Sequence, residues 1–168
     1  MYIRTKKRET KKGQKEYAYE AKSIRTKKGP RQKIVSYLGK VHSFDDTSLT
    51  LPFYLSTDDI EEYFSNKSLK TAVNELLIFE LVRHGFVLKE NSLTKKDYVV
   101  NLDDKTVKYC GKEAVLRLNQ GYLCSKTLKK CFSDINSKFS TKELIKSFLL
   151  IGLNPDEDSF MTIFRHKI

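Results

Sequence analysis

The chain has few of the residues that build covalent or metal cross-links. Its only cysteines are Cys110, Cys124 and Cys131. It also has no tryptophan, although that residue takes no part in such links. None of them forms a Cys-x-x-Cys pair, and no histidine stands at a ligand-like spacing from them. A zinc site or a redox thiol is one interpretation. We favour three free thiols in a reducing compartment, partly buried as small apolar side chains, and we expect neither a metal nor a cofactor.

Long apolar runs are also lacking. The longest, Leu76–Val82, is interrupted by Glu80 and is far shorter than the roughly 20 residues that span a bilayer. The basic stretch at the start of the sequence has no apolar core of the kind that a secretory signal requires. We therefore expect a cytoplasmic protein without a membrane partner.

Recognisable catalytic motifs are missing as well. The sequence has no Gly-rich phosphate loop, no Ser/His/Asp set and no carboxylate pair whose spacing singles it out. Asp97, Asp103 and Asp104 invite a metal interpretation. Carboxylates at polar hairpin turns are more often solvated turn residues, however, and no calcium-loop spacing accompanies these three. We therefore predict that the protein is not an enzyme.

The charge of the chain is concentrated in its first quarter. Residues 1–40 contain 14 basic and three acidic residues, whereas residues 41–168 hold equal numbers of both signs. The net charge of +11 therefore comes from residues 1–40 alone. A polyanion such as a nucleic acid is the partner that such a stretch attracts most directly.

This basic stretch has the pattern of a folded sheet. A disordered basic arm is usually poor in aromatic and β-branched residues, yet tyrosine, isoleucine and valine recur here. Glu16–Arg25 alternates, so that Tyr17 and Tyr19 share one face and Ala18 and Glu20 the other. With Tyr2–Lys7 before it and Arg31–Leu38 after the Lys-Lys-Gly-Pro break, it predicts a three-stranded antiparallel meander.

Three runs in this region carry a family resemblance: Met1-Tyr2-Ile3-Arg4, then Glu16-Tyr17-Ala18-Tyr19, then Lys28-Gly29-Pro30-Arg31-Gln32-Lys33-Ile34-Val35-Ser36-Tyr37-Leu38-Gly39-Lys40. Together they resemble the N-terminal segment of DDE-type insertion-sequence transposases, over residues 1–40 only. The catalytic ribonuclease-H-like domain of that family needs three separated carboxylates and more chain, and none of those roles can be assigned here. The resemblance implies a nucleic-acid-contacting hairpin and not transposition.

The remaining residues predict a linker at 41–56 and a neutral α+β body at 57–168. The expected helices begin at Ser56 or Thr57, at Ser68, at Ser125, at Ser140 and at Asn154, and the last two form a C-terminal helical hairpin. The expected strands are Phe86–Leu88, Tyr98–Leu102, Thr106–Tyr109 and Ala114–Leu118, which give a small second meander. The fold class is α+β. Residues 41–168 are expected to fold alone, since their charges balance and they can bury a core.

These features lead to competing hypotheses of function. The first is a non-catalytic nucleic-acid-binding protein, of DNA or of RNA, that makes largely sequence-independent backbone contacts. The alternatives are an adaptor whose basic segment docks an acidic protein, and a small ribosome- or RNA-associated protein. The neutral body is a further candidate surface for a protein partner. The predicted nucleic-acid-binding residues are Arg4, Lys6, Lys7, Arg25, Lys27, Lys28, Arg31, Lys33, Tyr17 and Tyr19. Tyr2 and Tyr37 are further candidates for base stacking, and for at least half of these four tyrosines core packing between the meander and the body is the favoured alternative.

Overall fold

The computed structural model describes residues 2–11, 13–27, 29–137 and 140–153. Within them the chain is α+β, as predicted. The strands are β1 (Tyr2–Thr10), β2 (Gly13–Thr26), β3 (Gly29–Ser43), β4 (Val87–Lys89), β5 (Ser92–Lys95), β6 (Tyr98–Asn101), β7 (Thr106–Tyr109), β8 (Lys112–Leu118) and β9 (Gly121–Leu123). The helices are α1 (Leu51–Leu55), α2 (Ile60–Ser65), α3 (Leu69–Arg83), α4 (Ser125–Asn136) and α5 (Thr141–Ile151).

The first three strands form the predicted antiparallel meander, which we call the basic meander. Its strands are longer than the alternation indicated, since the pairing continues to Thr10 opposite Gly13 in the first hairpin and to Thr26 opposite Gly29 in the second. The hydroxyl groups of Thr10 and Thr26 donate to the carbonyls of Gly13 and Gly29, at 2.6 and 2.7 Å. Both glycines have a positive φ, which costs glycine little.

Two bulges interrupt the pairing of β3 with β2. The partner changes from Gly39 opposite Ala18 to Tyr37 opposite Tyr19, so Leu38 is an extra residue in β3. A second shift follows between Glu20 and Ala21. Because side chains alternate along a strand, one extra residue moves every later side chain to the other face. The bulge at Leu38 therefore places Tyr37 on the same face as Tyr19.

The basic meander continues into the body without a break in the sheet. β3 pairs in parallel with β8 from Lys40 opposite Ala114 to Ser43 opposite Arg117. The strand order is β1-β2-β3-β8-β7-β6-β5-β4, and β9 also pairs with β8. The predicted linker at 41–56 thus contains the end of β3 and helix α1, because the backbone of β3 finds a partner in β8.

The second meander, with β9 paired to its last strand, has two strands more than predicted, β5 and β9. β6, β7 and β8 match the expected strands closely, and β4 begins one residue later than expected. β5 (Ser92–Lys95) was not predicted, since Ser-Leu-Thr-Lys shows only one apolar residue. It pairs with both β4 and β6.

Helix α3 is the buried centre of the body, as its periodicity predicts. Seven of its residues are buried: Ala72, Val73, Leu76, Leu77, Phe79, Glu80 and Leu81. Its N-cap is Ser68, whose hydroxyl accepts from the amide of Thr71 at 3.1 Å. The start predicted for α2 was wrong, because Asp59 and not Ser56 or Thr57 caps it.

Of the two helices near the end of the described chain, α4 has Cys124 and not the predicted Ser125 as its N-cap, whereas α5 follows its capping signals. Ser140 and Glu143 form the predicted capping box of α5, and Gly152 ends it in the left-handed conformation. α5 packs against α4. The helix predicted from Asn154, which is the second member of the expected helical hairpin, lies outside the described residues.

A small separate core joins the basic meander to the body. Ala18, Leu38 and Val41 of the meander pack there with Val115 of β8 and Cys124, which precedes α4. All five are at most 7% exposed. The meander therefore covers apolar side chains of the body. The balanced charges of residues 41–168 did not predict this contact.

Candidate nucleic-acid interface

The basic meander has an outer and an inner face, set by the pleat of β2 and by its cross-strand partners. The outer face carries Tyr2, Arg4, Lys6 and Arg8 of β1, Tyr17, Tyr19, Ser23 and Arg25 of β2, and Gln32, Ile34, Tyr37 and Lys40 of β3. The inner face carries Lys7 of β1, Glu16, Ala18, Glu20, Lys22 and Ile24 of β2, and Arg31, Lys33 and Ser36 of β3. The body covers the inner face only near its middle.

Three tyrosines form a cluster on the outer face. The ring of Tyr37 lies between those of Tyr17 and Tyr19, with ring centroids 6.3 and 5.5 Å away. The ring planes are tilted by 45° and 55°, so neither pair of rings is stacked face to face. Tyr37 is 57% exposed, whereas Tyr17 and Tyr19 are half-buried. Partial burial raises the pKa of Tyr37, which therefore keeps its proton at neutral pH.

Cations of β1 lie beside this tyrosine cluster. The ammonium group of Lys6 lies 5.6 Å from the ring centre of Tyr19, and the guanidinium of Arg8 lies 5.8 Å from that of Tyr17. Arg4 donates to the side-chain oxygen of Gln32 at 3.3 Å. The sequence-based prediction omitted Arg8, although it continues the two-residue period of Arg4 and Lys6.

The acidic residues of the inner face bind basic residues of the body. Glu20 is 5% exposed, pairs with Lys126 and also accepts a hydrogen bond from Ser36 at 3.1 Å. The hydrogen bond from Lys126 lowers the pKa of Glu20 below its usual value. Glu16 pairs with Arg117 at 2.6 Å. These contacts fix the meander on the body and neutralise two of the three acids of residues 1–40.

The cations of the meander have no such partners. Among the residues that the structure describes, no lysine or arginine of residues 2–43 forms an ion pair with a carboxylate. The body differs, because Lys67, Arg83 and Lys130 pair with acids of the body itself. The excess charge of the meander is therefore presented to solvent or to a ligand.

Part of the β2–β3 hairpin extends beyond the last pair of β1, Tyr2 opposite Ala21. We call residues 22–33 the arm. At about 3.3 Å per residue its five paired positions span roughly 15 Å. Arg25 lies on its outer face, Arg31 and Lys33 on its inner face, and Lys27 in its turn, all exposed. Lys28 lies outside the described residues.

The predicted binding residues therefore fall into two groups. Arg4, Lys6, Tyr17 and Tyr19 lie together on the outer face of the three-stranded part. The cations of the arm extend along both sides of a two-stranded ribbon. Lys7 lies apart, opposite Glu16 on the inner face. The alternation of the strands divides these charges between the two faces of the sheet.

A histidine stands where the basic meander meets the second meander. His42 of β3 accepts or donates a hydrogen bond at 2.8 Å between its Nδ1 and the hydroxyl of Tyr98. Its ring also lies 4.8 Å, centre to centre, from that of Tyr109. Burial, and then the positive charge of Lys40, lower the pKa of His42 to about 4. His42 is therefore uncharged at neutral pH and adds nothing to the charge of the outer face.

The three cysteines and the carboxylates at the hairpin turn form no assembled site within the described ranges. Cys124 and Cys131 are buried, Cys110 is exposed, and all three are free thiols. Burial raises the pKa of the Cys131 thiol to about 12. No group of three or more histidine, cysteine or acidic residues in this part of the chain is arranged to hold a metal ion. Nor does this part contain a helix long and apolar enough to cross a membrane.

No protein family, curated protein or solved structure matches this chain. The resemblance of residues 1–40 to transposase N-terminal segments stays a prediction. The interface has to be interpreted from its own geometry and charge.

Proposed function

We propose that this chain is a non-catalytic nucleic-acid-binding protein whose basic meander contacts the phosphate backbone with little sequence preference. The observation that supports the proposal best is the asymmetry of charge pairing. Glu16 and Glu20 are neutralised by Arg117 and Lys126 of the body, while within the described residues no lysine or arginine of the meander forms an ion pair with a carboxylate. Unpaired cations that neutralise phosphates release counterions, which drives binding without base readout.

An adaptor that docks an acidic protein is the second candidate. The arm and the adjoining part of β3 expose three aliphatic side chains, Ile24 by 41%, Ile34 by 38% and Val35 by 46%. Protein interfaces are centred on such apolar contacts, whereas phosphate contacts need only the cations. Replacing Ile24 and Val35 by threonine separates the two, since it should weaken an adaptor and spare backbone binding.

The test of the proposal is charge reversal in the full-length protein. The variant R25E/K27E/R31E changes three exposed cations without removing a described hydrogen bond or ion pair. The matched control is K70E/K89E/K108E, which makes the same charge change on exposed lysines of the body. Binding of a fluorescein-labelled oligonucleotide of mixed sequence is followed by anisotropy at several salt concentrations.

We expect the meander variant to lose at least about tenfold in affinity and roughly two to three units of salt slope, about one for each lost phosphate contact. The control should change affinity only slightly, because its lysines lie outside the interface. Equal losses in the two variants would indicate a general effect of net charge and would contradict the proposal. The same preparations should not cleave or join DNA or RNA in the presence of magnesium.

A further inference from the structure

We infer that the outer face of the basic meander binds an unpaired nucleic-acid strand, with a base stacked on Tyr37 and the neighbouring phosphates held by Lys6 and Arg8. This inference rests on the proposed function and specifies its ligand. The outer face requires only a flat base next to a phosphate. Single strands of DNA and of RNA both offer this, so they are equivalent ligands for the outer face.

The first argument is the exposure of Tyr37. A tyrosine needed for packing is covered by its neighbours, yet this ring is 57% exposed. The bulge at Leu38 places it on the outer face, while Leu38 itself is buried in the small core at 7% exposure. Bulges commonly re-aim a side chain at a functional position.

The second argument is the arrangement of the neighbouring groups. Tyr17 and Tyr19 flank Tyr37 on β2, and beyond them β1 carries Arg8 and Lys6. Adjacent strands are about 4.8 Å apart, so the cations of β1 stand on the order of 10 Å from β3. A base on Tyr37 would thus have its phosphates near cations that no carboxylate occupies. Aromatic side chains combined with a cationic track are typical of single-strand binding surfaces.

The third argument is the width of the sheet. At Tyr37 the meander has three strands, and β3 continues into pairing with β8. The major groove of B-DNA admits a two-stranded ribbon but not a sheet of this width. Bases within a duplex are also stacked on each other and cannot offer a free face to a ring. The major groove of a B-form duplex could therefore admit the arm, but not the tyrosine cluster.

The test compares Tyr37→Ala with Tyr37→Phe in the full-length protein, using labelled oligo(dT), oligo(U) and a duplex. We expect Tyr37→Ala to weaken binding of both single strands by about tenfold, as loss of one stacked base does, and to leave duplex binding within twofold. Tyr37→Phe should bind the single strands nearly as the original protein does, because it keeps the ring. Thermal unfolding of both variants checks that the fold is retained.

A second readout locates the base directly. Oligo(dT) carrying 5-iodouracil is irradiated in the complex, and the cross-linked peptide is identified by mass spectrometry. We expect the cross-link at Tyr37. Since the chain has no tryptophan, stacking should also quench part of its tyrosine fluorescence, and less so in Tyr37→Ala.

The outcomes separate this inference from the proposed function. If neither single strand nor duplex binds, the proposed function itself is wrong. If R25E/K27E/R31E loses binding but Tyr37→Ala affects single strand and duplex equally, or neither, backbone binding stands and the stacking inference is wrong. A cross-link outside the outer face would also overturn it, whatever the behaviour of the variants.

Discussion

Two meanders lie side by side in one sheet, and they differ in charge and in strand length. The basic meander has strands of 9, 14 and 15 residues, whereas β4 to β7 have three or four residues each. Residues 1–40 carry a charge of +11, and residues 87–109 hold five basic and four acidic residues. The same supersecondary unit is thus built once with a large excess charge and once nearly neutral.

The short meander uses its side chains to fill the main core. Leu93, Val100 and Val107 are at most 1% exposed and belong to the cluster around α3. The basic meander commits only the middle of its inner face to packing and leaves its outer face and its arm exposed. Strand pairing is therefore alike in the two meanders, and they differ in the distribution of charge and of exposed rings.

Removing the basic meander is the change from which we expect the largest effect on stability. A fragment of residues 41–168 would lose the cover of Val115 and Cys124 and the partners of Arg117 and Lys126. We expect it to be destabilised by at least about 4 kcal/mol, the scale of a large core deletion, and to bind the hydrophobic dye ANS. Chemical denaturation followed by circular dichroism measures the loss.

The charge variant R25E/K27E/R31E is the control, because it keeps the meander in place and should unfold like the original protein. A fragment as stable as the full chain would show that β8 does not depend on the meander. Residues 41–168 would then fold as a separate unit, as their balanced charges suggest.

A smaller effect is expected at Gly39, which lies opposite Ala18 of β2, one residue before β3 begins to pair with β8 at Lys40. Its φ is 143°, and a Cβ there would lie 3.1 Å from the carbonyl oxygen of Glu113. We expect Gly39→Ala to cost about 2–3 kcal/mol, from backbone strain and from this close approach. Urea denaturation measures the change in unfolding free energy.

Gly111→Ala provides the matched comparison, since Gly111 also has a positive φ but no atom within 4 Å of its Cβ position. We expect it to cost about 1 kcal/mol, from strain alone. Equal costs at the two sites would mean that the approach of β3 to β8 is not tight.

Local signals in the sequence predict most helices and strands. Most of the features that were not predicted arise from pairing between distant parts of the chain. Alternation and the Lys-Lys-Gly-Pro break predict the basic meander, and capping residues predict α5. The parallel pairing of β3 with β8 and the ion pair of Glu20 with Lys126 join positions far apart in the chain. No local pattern encodes either contact.

The candidate site shows the same difference between what local signals predict and what long-range pairing determines. The alternation that puts Tyr17 and Tyr19 on one face could be foreseen, as could their nearness to Arg4 and Lys6. The bulge that brings Tyr37 to them could not, because an extra residue in β3 leaves no trace in the hydrophobic pattern. From the sequence, Tyr37 was a candidate both for packing and for stacking, and its exposure favours stacking.

The smallest predicted effect concerns His42, at the junction of the two meanders. Its pKa is lowered to about 4 from an ordinary value of 6.5, because it is partly buried and close to Lys40. Between these two values the unfolded chain binds a proton that the folded protein does not. Acidification through this range therefore destabilises the fold, and the stability is regained as the pH rises towards 6.5. Allowing for its partial exposure, we expect a loss of about 1 kcal/mol between pH 6.5 and 5.

Replacing His42 by glutamine should remove this part of the pH dependence while keeping a polar group near the hydroxyl of Tyr98. The measurement is the unfolding free energy of both proteins at pH 5 and 6.5, and the quantity of interest is the difference between the two pH changes. Other acids and histidines titrate equally in both proteins, so their contributions cancel. A variant that keeps the full pH dependence would mean that His42 is protonated in the folded protein, and that the junction between the meanders is open to water.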